Sequence, residues 1–211
     1  MNSVKFEAVE VDNYRSATGD LKGAVERQIC NEVTEGRYQV VLNKPTVVSA
    51  LGAIPKPSGG IRIIHDGSRP TGQALNDYVS LVDQRLRFPS LEDATEVLEP
   101  WMFLAKVDLK SAYRSVRVHP SNWQACGFKW TFVGGRNPTY LVDTALPFGS
   151  RLAPGIFNRL TQAVRRMMAR QGFSQVVAYL YDFLIIERTY DRCLLALNTL
   201  LSGLRIFNSM G

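Results

Sequence analysis

Four short stretches carry residues whose types and spacing could do chemistry. Asp108 closes an apolar run, WMFLAKV (101–107). A carboxylate at a strand end lies where open sheets hold ligands, and its hard oxygens suit a cation such as magnesium. The same side chain could equally cap a short helix starting at Leu109-Lys110-Ser111. In 176–186 two apolar β runs, VVAYL and FLII, are separated only by Tyr181 and Asp182. Such tight turns favour Asn-Gly or Asp-Gly, because a bulky residue at positive φ is strained. A turn that breaks this rule marks either a functional site or a longer, bulged loop. In LPFGSRLAPGIFNRL (146–160), Gly149 and Pro154 precede a helix. Glycine lets a backbone approach a ligand closely, and a helix N-terminus with Arg151 beside it suits a phosphate; an ordinary strand-to-helix loop would read the same way. Lys56 and Arg62 flank a Ser-Gly-Gly turn, placed either to clamp phosphates or simply to face solvent.

Simple elements must position these residues. Leu21, Val25, Ile29 and Val33 recur every four residues, which predicts one or two helices within residues 1–45. TVVSALGAI, PKPSGG and IRIIHD predict a β-hairpin over 46–66. Residues 67–82 are loop-like, and SLEDATEVLE (90–99) predicts a short helix ended by Pro100. The run 101–107 predicts a buried strand, and the alternation in YRSVRV, CGFKWTF and TYLVDTAL predicts three more. A helix over 151–170 carries Arg159, Arg165, Arg166 and Arg170. A last helix over 190–206 places Leu194, Leu197, Leu201 and Leu204 on one face. The chain has no internal repeat and no low-complexity tract.

The composition narrows the class. The chain has 211 residues, 45% hydrophobic and 21% charged, enough for a real core in one or two domains. Three scattered cysteines form neither a disulfide scaffold nor a zinc module. No run of 18 apolar residues predicts a membrane span, and charges interrupt the N-terminus where a signal peptide needs its apolar stretch. The expectation is an intracellular protein, cytoplasmic or nuclear. The net charge of +6 is unevenly spread: residues 1–105 hold 11 basic and 14 acidic side chains, residues 106–211 hold 14 and 5. A half this basic suggests a polyanionic partner, nucleic acid first, or else a basic solvated surface.

The four stretches occur together in the order known from retroelement reverse transcriptases, and across roughly 46–206 the chain resembles the fingers and palm of that family. AIPKPSGGIRIIHDGSRP with ALND resembles the fingers hairpin and the stretch after it. FLAKVDLKSAYRSVRVHP resembles the motif of the first catalytic aspartate, LPFGSRLAPGIFNRL the template- and substrate-contacting motif, and AYLYDFLII the Tyr-x-Asp-Asp hairpin. The wording of the fingers is most similar to DIRS-like retrotransposons, which carry a tyrosine recombinase.

The resemblance implies a mixed α+β fold: right-hand polymerase fingers and palm at 46–211, with an antiparallel palm sheet packed on helices, preceded by an N-terminal helical extension at 1–45. It implies template-directed addition of dNTPs to a primer 3′ end by in-line phosphoryl transfer. Two magnesium or manganese ions about 3.5–4 Å apart would stabilise the attacking and leaving oxygens. Carried over, Asp108 ligates both metals, Leu109 offers a backbone carbonyl near the second, and Asp182 is a carboxylate of the hairpin. Lys56 and Arg62 contact the triphosphate, and Tyr113 sits under the sugar and excludes a 2′-hydroxyl. Phe148 and Gly149 line the nucleotide and template pocket, while Arg151, Pro154 and Tyr179 contact nucleic acid. Partners would be an RNA or DNA template with its primer, dNTP, and RNase H and recombinase regions of the same polyprotein. No membrane partner is expected.

The sequence departs from this pattern twice. Where the family has the first hairpin aspartate, this chain has Tyr181. A tyrosine phenol ionises near pH 10 in water, so it is neutral at pH 7 and a poor magnesium ligand. The chain also ends after GLRIFNSMG, where the family continues into the last palm motifs and the thumb, which reads as a fragment without a thumb. Two functions therefore stand side by side: an RNA-directed DNA polymerase module impaired at position 181, and a catalytically dead nucleic-acid-binding remnant. An RNA-copying palm polymerase is disfavoured by Tyr113, which leaves no room for a 2′-hydroxyl.

Overall fold

The computed structural model describes residues 7–57, 59–79, 95–110 and 112–209. Of the helix expected over 90–99, residues 90–94 lie outside the described residues, as does Ser111. The chain divides into two compact units, residues 1–84 with 116–153, and residues 85–115 with 154–211.

The first unit is built on a five-stranded sheet. Its strands are β1 (Val9–Glu10), β2 (Tyr38–Val41), β3 (Val47–Val48), β7 (Gly127–Trp130) and β8 (Thr139–Asp143), in the order β1-β3-β7-β8-β2. Strand β3 runs parallel to β1 and β7, while β8 is antiparallel to β7 and β2. The helices α1 (Arg15–Thr18) and α2 (Lys22–Thr34) fill the stretch where the four-residue spacing predicts them. Val25 and Ile29 are fully buried, with Leu21 and Val33 packed against the same core. The first 45 residues are not helical throughout, however. Strand β2 pairs with β8 from Tyr38↔Asp143 to Val41↔Tyr140, and buried Tyr38 meets Phe128 edge-on at 4.7 Å. A period-four pattern ending at Val33 carries no information about this strand.

The expected hairpin forms from β4 (Ala50–Pro55) and β5 (Ile61–Asp66), antiparallel from Ala50↔Asp66 to Pro55↔Ile61. Its turn places Gly59 at φ +87° and Gly60 at φ +79°, a region open to glycine but costly for other residues. The run YRSVRV departs from expectation. Ala112–Ser115 form a 3₁₀ turn, and only Arg117 bridges Ala145. The Ser115 hydroxyl donates to the Ala112 carbonyl at 2.7 Å, a local bond that competes with strand pairing.

The second unit holds a three-stranded antiparallel sheet in the order β6-β10-β9: β6 (Phe103–Asp108), β9 (Val176–Tyr179) and β10 (Asp182–Glu187). Helices α3 (Ala153–Arg170) and α4 (Tyr190–Ser209) supply the rest of its core, in which Val164, Met168, Phe183, Ile185, Ala196 and Leu200 are buried. One expectation is corrected here. The run 101–107 is not a buried strand. Among the described residues β6 is an edge strand, with Phe103 42% and Leu104 53% exposed and only Ala105 and Val107 packed on the core. On α4, Cys193, Ala196, Leu200 and Gly203 are buried, Leu197 and Leu204 of the leucine row pack against the same core, and Leu194 and Leu201 are exposed. Small residues let this helix approach closely: a Cβ on Gly203 would lie 2.5 Å from Met167 Cε.

No helix among the described residues is long and apolar enough to cross a membrane. The cysteines are free: Cys30 is exposed, Cys126 and Cys193 are buried, and burial pushes the Cys126 thiol up to about 12.

Candidate active site

Strands β6 and β10 bring Asp108 and Asp182 together. Asp108 is the last residue of β6 rather than a helix cap, and it stands directly opposite Asp182, the first residue of β10. Residues opposite one another in an antiparallel pair share a face, with Cβ atoms about 4.5–5.5 Å apart. Two carboxylates so placed repel each other unless a cation lies nearby. One does: Lys106 Nζ is 2.9 Å from Asp182 Oδ1. The Asp182 carboxylate, with Asp108 contributing less, raises the lysine's pKa and favours its charged form.

The hairpin turn lies one residue earlier than expected. Tyr179 pairs with Asp182, so the two central residues are Leu180 and Tyr181. The strained position is Leu180, at φ +50°. Two outside hydrogen bonds hold it there. The buried Thr161 hydroxyl on α3 donates to the Leu180 carbonyl at 2.6 Å, and the Leu109 amide donates to the Tyr181 carbonyl at 3.0 Å. Leu109 thus ties the end of β6 to the turn through its N–H.

Where a third carboxylate would stand there is an aromatic cluster. The Tyr181 ring meets Tyr113 edge-on at 6.3 Å, and Tyr113 meets Phe157 at 5.7 Å. Burial raises the Tyr113 phenol above the ordinary tyrosine range, with smaller contributions from Tyr181 and Tyr179. Tyr179 is half exposed at the end of β9, and Pro154 lies in the first turn of α3.

These donors can be tested against a divalent-ion centre. Carboxylate oxygens suit a hard cation. Asp108 and Asp182 face the site, the Tyr181 phenol stands beside them, and the Lys106 ammonium contacts one Asp182 oxygen. Among the described residues, no group of three or more His, Cys, Asp or Glu converges. The two opposed carboxylates fit a hard divalent cation, with any further oxygens left to substrate or water.

The remaining candidates lie in the first unit. The Lys56 N–H donates to the Gly60 carbonyl and its carbonyl accepts from the Gly59 N–H, so the lysine sits at the hairpin turn, exposed. The Arg62 guanidinium lies over the Phe148 ring, 5.5 Å from its centre. The His65 amide donates to the Phe148 carbonyl at 2.9 Å. Gly149, at φ +119°, presses so close to β5 that a Cβ there would lie 2.0 Å from the His65 carbonyl oxygen. A bound ligand is not needed to explain this glycine; the strand beside it suffices.

Three residues that the sequence did not single out organise these sites. Buried Asn76 donates from Nδ2 to the Gly149 carbonyl at 2.8 Å and to Ser68 Oγ at 2.9 Å, and its Oδ1 accepts from the Arg151 amide at 2.8 Å. It is the polar clamp of the 146–151 loop, hidden inside the polar ALND stretch. Lys106 could have been found by alternation, since it lies two residues before Asp108 on one strand. Thr161, inside a helix, carries no sequence signal for its bond to Leu180.

The comparisons with known proteins agree with this architecture. The family model described as "Reverse transcriptase (RNA-dependent DNA polymerase)" matches residues 54–208. No curated protein sequence matches the chain. Among solved structures, a foamy viral protease-reverse transcriptase in complex with double-stranded DNA is similar at TM-score 0.71 and 17% identity, over 95% of this chain and 31% of that one. The native prototype foamy virus protease-reverse transcriptase is similar at TM-score 0.67 and 15% identity, over 94% of this chain and 24% of that one. The chain thus spans 24% to 31% of the length of these structures, and at such identity the likeness concerns the fold.

Proposed function

The chain belongs to the reverse transcriptase (RNA-dependent DNA polymerase) family, and on that premise we propose that it is the reverse transcriptase domain of a retrotransposon, DIRS-like in type, whose polymerisation is impaired at Tyr181. The observation that carries this reading is the cross-strand pair Asp108–Asp182 beside a tyrosine that packs on Tyr113. The family's reaction adds dNTPs to a primer 3′ end along a template, and the divalent ions it uses neutralise and align the phosphates. This chain's own residues take narrower parts. Asp108 and Asp182, with the Leu109 carbonyl, hold a cation. Lys56 and Arg62 contact the triphosphate as fixed positive charges. Tyr113, held edge-on by Phe157, bears on the sugar and rejects a 2′-hydroxyl. Phe148 and Gly149 line the nucleotide and template pocket, and Arg151, Pro154 and Tyr179 contact the nucleic acid.

In this reading residues 46–211 are fingers and palm. Residues 1–45 are an N-terminal extension, helical over its middle and adding β2 to the five-stranded sheet. RNase H and recombinase regions belong to the same polyprotein. The second reading, a nucleic-acid-binding remnant without polymerisation, is favoured by one observation: the Lys106 ammonium already contacts an Asp182 oxygen. Primer extension on an RNA template, by the full-length protein with Tyr181 and with Tyr181→Asp, tests the proposal. A clear gain from Tyr181→Asp is expected, and equal rates would overturn it. Metal-dependent dNTP binding separates the two readings, since a pure binding remnant shows none.

A further inference from the structure

Lys106 is the side chain best placed to act on the carboxylate pair. The register of β6 on β10 pairs Asp182 with Asp108 and Leu184 with Lys106. Alternate residues of a strand share a face, so Lys106, Asp108, Asp182 and Leu184 lie on one side of the sheet. Lys106 Nζ reaches diagonally across to Asp182 Oδ1 at 2.9 Å. Its side chain is 67% exposed and that of Asp182 35%, so the ammonium approaches the pair from solvent. A lysine ammonium is a compact charge on a four-carbon stem with three donors and no acceptor. Seated there, it relieves the repulsion of two opposed carboxylates without burying either.

We propose that Lys106 is the resident counter-ion of the Asp108–Asp182 pair and competes with a divalent cation for it. The inference rests on the reading of Asp108 and Asp182 as the cation-holding pair. A divalent ion bridging both acids needs the Asp182 oxygen that the ammonium now contacts, and the two positive charges repel. The lysine therefore swings out to solvent when the ion binds and returns when it leaves. Its exposure makes this easy, because solvent-exposed ion pairs are weak. In a chain with aspartate at position 181 the extra negative charge would favour the divalent ion. With tyrosine there, the balance falls to the lysine.

The test measures Mn2+ binding directly, by the electron paramagnetic resonance signal of the free ion, on the whole chain. Lys106→Met keeps the length of the stem and removes the charge. It should tighten Mn2+ binding roughly two- to fivefold at low salt. The gain should shrink as KCl rises from about 0.05 to about 0.5 M. Lys106→Arg, which keeps the charge, should show no gain. Asp182→Asn should weaken binding in every background. Urea midpoints of the variants establish that each is folded. If Lys106→Met shows no gain, alone or with Tyr181→Asp, while Asp182→Asn still weakens binding, the counter-ion proposal fails and the underlying reading stands. If Asp182→Asn binds Mn2+ as tightly as the parent chain, the carboxylate pair is not the cation holder and both fail.

Discussion

Two of the antiparallel hairpins, β4–β5 and β9–β10, meet the same steric demand in opposite ways. The turn between β4 and β5 places Gly59 and Gly60 at positive φ and costs little strain. The turn between β9 and β10 puts Leu180 in that region, where a side chain is disfavoured by about 1–2 kcal/mol. Hydrogen bonds from Thr161 on α3 and Leu109 after β6 hold the second turn from outside. The first hairpin is shaped by its own sequence, and the second is imposed by its surroundings. A turn held from outside keeps its geometry when its own residues change, and Tyr181 is accommodated in just such a turn.

This contrast can be tested, starting where the effect is greatest. Gly149→Ala drives a Cβ to within 2.0 Å of the His65 carbonyl oxygen at φ +119°. It should cost about 3 kcal/mol or more in urea unfolding, or leave the protein insoluble. A small effect would mean that the 146–151 loop does not pin β5. Thr161→Val removes the hydroxyl that holds Leu180 and leaves its carbonyl without that donor. The expected loss is about 1–3 kcal/mol, and hydrogen exchange should speed up at Tyr181 and Asp182 before it does so in β4 and β5. Uniform loss of protection in both hairpins would break the contrast. The smallest pair should be near mirror images. Gly59→Ala has open space around it and should cost about 1 kcal/mol of strain alone, while Leu180→Gly should return up to about 1 kcal/mol of strain. If Leu180→Gly destabilises by as much as Gly59→Ala, the Leu180 side chain holds the turn through packing.

Legibility in the sequence follows the same division. Residues whose roles arise within one element could be read directly: the α2 stripe, the 50–66 hairpin, and the helix whose first turn holds Pro154, with Gly149 ahead of it. Residues whose roles arise between elements could not. Strand β2 exists because β8 lies beside it, and its YQVV run alone shows no pattern. On α4 the leucine row alone did not mark the packed face, because Cys193, Ala196 and Gly203 share that face with Leu197, Leu200 and Leu204. Strand β6 looked buried because an apolar run cannot reveal whether one neighbouring strand is present or two. At the carboxylate site, the ordered motifs were enough to single out Asp108, Asp182 and Tyr181. The registration of Asp108 against Asp182 and the reach of Lys106 needed the sheet itself.

The open edge of β6 has one more consequence. Among the described residues β6 pairs on one side only. An apolar strand in that position is a template on which a second chain can add, the first step of aggregation. Leu104 and Phe103 would invite it. Lys106 and Asp108 oppose it, because an incoming strand would have to strip water from both charges. The same two charges therefore bear on self-association as well as on the carboxylate site. Neutralising both would be expected to show first as self-association, before any change in the fold.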